Sequence, residues 1–343
     1  LDVGRWAFDV FRLQTKLVQF IRDTIRARGP QPFPWFMEQA LYHPEHGYYS
    51  SGRAIIGRRG DYFTNVSVGP LFGKLMAAQF AEIWERMGKI DNFLVVEQGA
   101  HDGQFARDVL EASSPEFFSA LRYRIIEPFP IWQDRQAQTL EPFRDRIEWK
   151  PLEPFTGVHF SNELLDAMPA GSKLVGLEGE KFVFVEPPAN SEHKSAALDW
   201  IDNVSRNLVR GCVVIVDYGF TRNEFREVIQ ARAQHRHLDS PFEEIGDADI
   251  TMHINWTDIA ERAEANGLRV AGFTDQHHFL TGIISTWPEL VAEEQSKRGL
   301  QTLLHPEMLG RAFQVLALGK DVDLAQPLAG FKFARDPRIE LGL

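Results

Sequence analysis

The sequence predicts an α/β fold whose mainly parallel sheet carries helices on both faces. Three observations lead there: short apolar runs of strand length recur from Phe93 onward, helical patterns separate them, and glycine or acidic residues follow the runs. Strands alternating with helices pair in parallel, because each helix carries the chain back to the start of the next strand.

The first strand is expected at residues 93–97 (FLVVE), opening into the loop QGAHDG and a helix through Leu110. Residues 123–127 (YRIIE) give a second strand and 131–140 a helix, followed by short strands at 146–149 and 158–162. KLVGLEG and KFVFVEPP form a hairpin-like pair that interrupts the order, and a helix over 196–208 leads to 212–217, the most apolar strand of the chain. A helix over 256–266 and strands at 268–273 and 313–318 complete the series. Before Phe93 the pattern is helical at 11–28, 35–41 and 70–87, with the turn-rich HPEHGYY and the polar loop GRRGDYFTN between, so residues 1–90 read as a helical cap and 91–343 as the core. Insertions into the core are expected around 171–190 and 221–255.

Composition narrows the function classes. At 44% hydrophobic and 25% charged the 343-residue chain is ordinarily globular, neither disordered nor fibrous. A net charge of -11 gives a phosphate backbone little attraction, so nucleic acid is not an expected partner. No run of 18 apolar residues exists to span a membrane, and the start lacks the layout of a signal peptide. Cys212, the single cysteine, reads as a small buried hydrophobe in a reducing compartment. The expected location is the cytoplasm, or the mitochondrion if a targeting segment has been trimmed. His43, His46, His277 and His278 do not fall into a zinc spacing, and no metal is expected.

Ligands of open parallel sheets bind beyond the carboxyl ends of the strands, where strand order reverses. Three signals fall at such ends. Glu97 leads into Gly99, Ala100, His101 and Gly103, whose glycines allow a tight turn and close backbone approach to a ligand. Glu127 ends the second strand, and a carboxylate there can accept both hydroxyls of a ribose. Ser161, Asn162 and Glu163 end the fourth. The acidic partner does not separate NAD from S-adenosylmethionine (SAM); the missing G-x-G-x-x-G favours SAM.

Over residues 35–320 the chain resembles the MidA-like family of SAM-dependent methyltransferases, whose mitochondrial members are protein arginine methyltransferases needed for assembly of respiratory complex I. The stretches that carry the resemblance are collinear: LYHPEHGYYSSG, IGRRGDYFT with LFGKL, VVEQGAHDGQFARDVL, Glu127 with Gln136, SNELLDAMP, VDYGF, GDADITMHINW, TDQHHFL and LLHPEMLGRAFQVLALGK. The resemblance implies a Rossmann-like class I methyltransferase fold, with a seven-stranded, mostly parallel sheet whose last strand is antiparallel. It also implies SAM as cofactor, held by Glu97, Gly99, Ala100, Gly103 and Glu127, with Gly60, Asp61 and Thr64 closing over it. Asn162, Glu163 and Asp166 would line the reaction face. The chain departs from the family in three places: Ala100 and His101 stand inside the loop that usually reads G-P-G-x-G, Asn65-Val66-Ser67 replaces a Pro-Glu-Ser pattern, and the G-T-x-R-x-Y stretch before His235 is lost.

A guanidinium has no free lone pair and a pKa above about 12, so a carboxylate must orient it and polarise an N–H before it attacks a methyl group. Glu163 fits that task, or equally the N-cap of a helix over LLDAM. Asp217-Tyr218 either faces the substrate or caps its strand. The aromatic residues Phe33, Trp35, Phe36, Tyr48 and Tyr49 read as cap core rather than a cation cage. The methyl acceptor is therefore expected to be a protein arginine by resemblance, with a small molecule, or a catalytically silent assembly role, as the alternatives.

Overall fold

Seven strands form one sheet in the computed structural model, which describes residues 3–54, 64–188, 195–234, 236–293 and 296–343. They are β1 (Phe93–Gln98), β2 (Leu121–Ile126), β3 (Ile147–Trp149), β4 (Phe155–Asn162), β5 (Leu208–Asp217), β6 (Arg269–Asp275) and β7 (Gln314–Lys320). Their order is β6-β7-β5-β4-β1-β2-β3. Strands β1 to β5 pair in parallel, and β7 runs antiparallel to both β5 and β6, as expected. A sheet covered on both faces needs apolar side chains on both, which is why β5 reads as an unbroken run and why Cys212 to Val216 are all buried. Burial also pushes the Cys212 thiol up to about 12, leaving it an inert hydrophobe.

The chain divides into two compact units. The unit built on the sheet comprises Thr64–Asp166, Leu198–Arg226 and Ile254–Leu343; the other comprises Leu1–Phe63, Ala167–Ala197 and Glu227–His253. The latter contains helices α1 (Val3–Arg28) and α2 (Phe33–Tyr42) and also strands. Leu174–Glu178 and Lys181–Val185 form the expected hairpin, and Ile229–Ala233 pairs with Asp249–Met252, both antiparallel. Phe36 and Phe184 pack on Phe242 at 5.2 and 4.8 Å between ring centroids, and Phe33, Phe36 and Tyr48 are buried, so the aromatic cluster is core.

The division therefore differs from an all-helical cap ending at residue 90. Helix α3 (Leu71–Arg86) belongs with the sheet, packed on α4 (Gln104–Ala112). Its Leu71, Phe72, Leu75, Met76, Ala77, Phe80, Ile83 and Trp84 are all buried, a spread too wide for a one-faced surface helix. The two helices come so close that a Cβ on Gly73 would lie 2.4 Å from Cβ of Asp108. The stretches inserted around 171–190 and 221–255 fall largely in the other unit. Helices Gln276–Thr286 and Ser296–Leu304, absent from the sequence expectation, also belong to the sheet unit.

One buried group gives the core a pH signature. His159 on β4 is fully buried with its ring edge-on to Trp200 at 5.3 Å, and neither ring nitrogen has a hydrogen-bond partner. Burial lowers its pKa from 6.5 to about 3. The unfolded chain thus binds a proton that the folded chain refuses, and stability falls as the pH drops below 6.5. His159→Leu removes this contribution. In thermal denaturation the variant should lose less stability than the parent between pH 6.5 and about pH 4, and parallel pH curves would contradict the assignment.

Candidate active site

The order of the sheet reverses at β1, which has β2 on one side and β4 on the other. The loops after β1 and β4 therefore diverge from neighbouring strand ends, which makes the crevice that ligands occupy in such sheets. The loop after β1 is tightly wound: Gly99 and Gly103 have φ near +84°, His101 has φ +46°, and Gly103 N donates to Ala100 O at 2.8 Å. A side chain at Gly99 would place its Cβ 3.3 Å from Leu164 Cδ1, and one at Gly103 3.2 Å from Leu140 Cδ1 and 3.4 Å from Gln136 Cα. The glycines thus allow protein to pack against the loop from both sides, a role that the expectation of ligand approach had left out.

The carboxyls at the strand ends are sorted by burial. Glu97 is almost wholly buried and accepts a hydrogen bond from Tyr123 Oη at 2.6 Å. Burial raises its pKa from 4.5 to about 8, so it is largely neutral at pH 7 and supports the loop from beneath. Glu127 is half-buried beyond β2. Its Oε1 accepts from Phe129 N at 2.9 Å and its Oε2 from Gln136 Nε2 at 3.2 Å, while burial pushes its pKa upward. Each oxygen has a second lone-pair site to offer a hydroxyl. Beside it, the His101 ring lies 4.5 Å from Trp132 between centroids, and its buried Nε2 has no hydrogen-bond partner.

At the end of β4, Glu163 adopts φ +53°, a conformation held by Glu163 N donating to Val216 O at 2.9 Å. Left-handed backbone at a glutamate is strained by about 1–3 kcal/mol and persists only where its surroundings over-determine it. Asn162 Nδ2 donates to Glu163 Oε1 at 2.9 Å, and Asn162 Oδ1 accepts from Asn65 Nδ2 at 2.9 Å. Asn65 is fully buried, so the residue that replaces the family's proline ties the segment after Thr64 to the reaction-face pair. No sequence signal marks a contact across 97 residues. Thr64 itself is buried, with Oγ1 2.8 Å from Ser67 Oγ, and Asp166 is buried. Gly60 and Asp61 lie outside the described residues.

No helix follows Glu163: residues 163–169 form turns. The backbone N–H groups of Leu164 and Leu165 donate to Asp217 Oδ2 at 3.1 and 2.8 Å, and Tyr218 N donates to Oδ1 at 2.8 Å. Asp217 is fully buried and anchors this turn. With no helix to cap, the N-cap alternative for Glu163 does not hold, and its carboxylate is half-buried at the strand end.

The strand-end carboxylate Glu127, the orphaned His101 Nε2 and the tight loop suit a ribose-bearing cofactor, and the donor set of these residues fits SAM. A seven-stranded sheet of this order, with its last strand antiparallel and this crevice, defines a SAM-dependent methyltransferase of the Rossmann-like class. The chain belongs to the family described as S-adenosyl-L-methionine-dependent methyltransferase, whose model matches residues 75–185 and 172–274. It is 25% identical over 390 residues to the Drosophila melanogaster protein named protein arginine methyltransferase NDUFAF7 homolog, mitochondrial, covering 92% of this chain and 88% of that one. The human protein arginine methyltransferase NDUFAF7, mitochondrial, is 22% identical over 394 residues, with 94% and 87% covered. A crystal structure of a methyl transferase from Burkholderia thailandensis bound to S-adenosyl-homocysteine superposes with a TM-score of 0.88 at 26% identity, over 96% of this chain and 98% of that one. The chain is thus a MidA-like methyltransferase with SAM as its cofactor, diverged to about 25% identity from these relatives. Among the described residues no helix is long and apolar enough to cross a membrane, and no group of three His, Cys, Asp or Glu side chains is disposed to hold a metal.

The buried Glu97 carboxyl gives the site a testable titration. Its folded pKa of about 8 lies above the ordinary 4.5, so its stabilising contribution is complete below pH 4.5 and is lost as the pH rises through about 8. Glu97→Gln keeps a neutral side chain that still accepts from Tyr123. Cofactor-free Glu97→Gln should therefore gain stability over the parent steadily from pH 4.5 to 8, read as melting temperature. A gap that stayed constant over this range would mean that Glu97 is already ionised in the fold.

Proposed function

We propose that the methyl acceptor is a protein arginine and that Glu163 is the carboxylate that orients its guanidinium. The observation that carries this reading is the half-buried Glu163 carboxylate, held in a strained conformation at the end of β4 by Asn162 and Val216. The names of the arginine methyltransferases to which the chain is similar support it. SAM supplies an activated methyl on a sulfonium when bound. The protein's tasks are then to place the nucleophile in line and to take its proton. In this reading Glu127 accepts the ribose hydroxyls beside the Gly99–Gly103 loop, as two charge-assisted hydrogen bonds. Glu163 pairs with the guanidinium and draws an N–H proton as the new C–N bond forms, while Asn162 keeps the carboxylate aimed.

Labelled SAM incubated with the protein and an extract from its source, followed by acid hydrolysis, should yield label in methylated arginine. Label confined to a small-molecule fraction would overturn the arginine assignment. With an acceptor in hand, Glu163→Gln should leave SAM affinity near the parent's and lower turnover by about 100- to 10,000-fold, since the amide keeps the shape and loses the charge. Parental turnover in a folded variant would remove Glu163 from catalysis. Glu127→Ala should weaken SAM binding by roughly 1.5–3 kcal/mol for each hydrogen bond lost, measured by titration calorimetry. Parental affinity there would move the cofactor's ribose elsewhere.

A further inference from the structure

Gln136, on helix α5 (Pro130–Thr139), is fully buried and uses its amide in three directions. Nε2 donates to His101 O at 2.8 Å and to Glu127 Oε2 at 3.2 Å, and Oε1 accepts from Trp149 Nε1 at 2.8 Å. An indole nitrogen can only donate, so Trp149 fixes which end of the amide is oxygen and commits both amide hydrogens to the other two partners. Those partners belong to different loops. His101 lies in the left-handed turn between β1 and α4, and Glu127 follows β2.

We infer that Gln136 is the positioning residue that sets the two halves of the SAM site in register, by pinning the strained His101 peptide and by holding the Glu127 carboxylate aimed. The inference deepens the assignment of the ribose hydroxyls to Glu127 and rests on it. Burial pushes Glu127 towards its protonated form, and the hydrogen bonds from Phe129 N and Gln136, with the neighbouring His101 ring, oppose that. A proton on Glu127 would consume an acceptor site that a ribose hydroxyl needs. An ionised carboxylate in place of this amide would set an acceptor against the His101 carbonyl and Glu127 together, whereas a protonated one could donate to one of them. Gly103 serves the same contact from the opposite side: its missing side chain lets the α5 backbone come within 3.4 Å of where its Cβ would be.

The test is titration calorimetry with S-adenosyl-homocysteine on the parent, Gln136→Met, Gln136→Glu, Glu127→Gln and the double variant Gln136→Met/Glu127→Gln, with melting curves to establish folding. Gln136→Met should bind about tenfold or more weakly, because it removes a hydrogen bond to a charged group. Its deficit should grow as the pH falls, since Glu127 without its donor titrates higher. Gln136→Glu should respond in the opposite sense and regain affinity as the pH falls, when the new carboxyl gains a proton and donates again. On the Glu127→Gln background the further loss from Gln136→Met should shrink. Equal losses on both backgrounds without pH dependence, beside a weakened Glu127→Gln, would overturn the inference alone and leave Gln136 a packing residue. Parental affinity in Glu127→Gln would overturn the ribose assignment and the inference with it. If Gln136→Met does not fold, the sign of the pH response in Gln136→Glu decides.

Discussion

Parallel pairing of β1 with β2 on one side and β4 on the other is the constraint from which the site follows. In register, Gln98 of β1 lies opposite Ile126 of β2 and Ser161 of β4, so three strands end at one level. The loops beyond that level carry Gly99 to Gly103, Glu127 and Glu163. Neither the loop geometry nor the hydrogen bonds between loops would arise if the order did not reverse at β1, because consecutive crossovers in one direction would leave no crevice there.

Burial divides the strand-end carboxyls into two kinds. Glu97 and Asp217 are sealed beneath the loops, where the first is held near neutrality and the second receives backbone N–H groups from the turn after β4. Glu127 and Glu163 stand half-buried above them, each held by an amide side chain, Gln136 in one case and Asn162 in the other. A charged group that must meet a ligand keeps part of its hydration and is aimed by neighbours, whereas one that only supports a loop can be desolvated if its lone pairs are filled. Four acids of similar sequence context thereby serve different ends.

The departures from the family pattern are absorbed structurally. His101, inside the loop where the family carries glycine, takes up left-handed backbone, lays its ring beside Trp132 and has its carbonyl held by Gln136. Asn65, in place of proline, supplies an amide that a proline lacks and connects to Asn162. Both changes add a polar group that is held within the sheet unit, and the overall superposition on the S-adenosyl-homocysteine-bound methyl transferase remains at a TM-score of 0.88.

The sequence by itself determined the alternation, the antiparallel last strand implied by the resemblance, the hairpin at 174–185 and the strand ends that bear Glu97, Glu127 and Glu163, because periodicity and turn chemistry are local properties. Collinear motifs likewise made SAM legible as cofactor. Tertiary structure decided what local patterns cannot carry. Helix α3 belongs with the sheet because its apolar residues have a face of the core to cover, and the N–H groups after Glu163 donate to Asp217, more than 50 residues away. The burial of Glu97 and its hydrogen bond from Tyr123 likewise join residues 26 positions apart. Burial and long-range hydrogen bonding depend on which segments meet, and that is set only when the whole chain has folded.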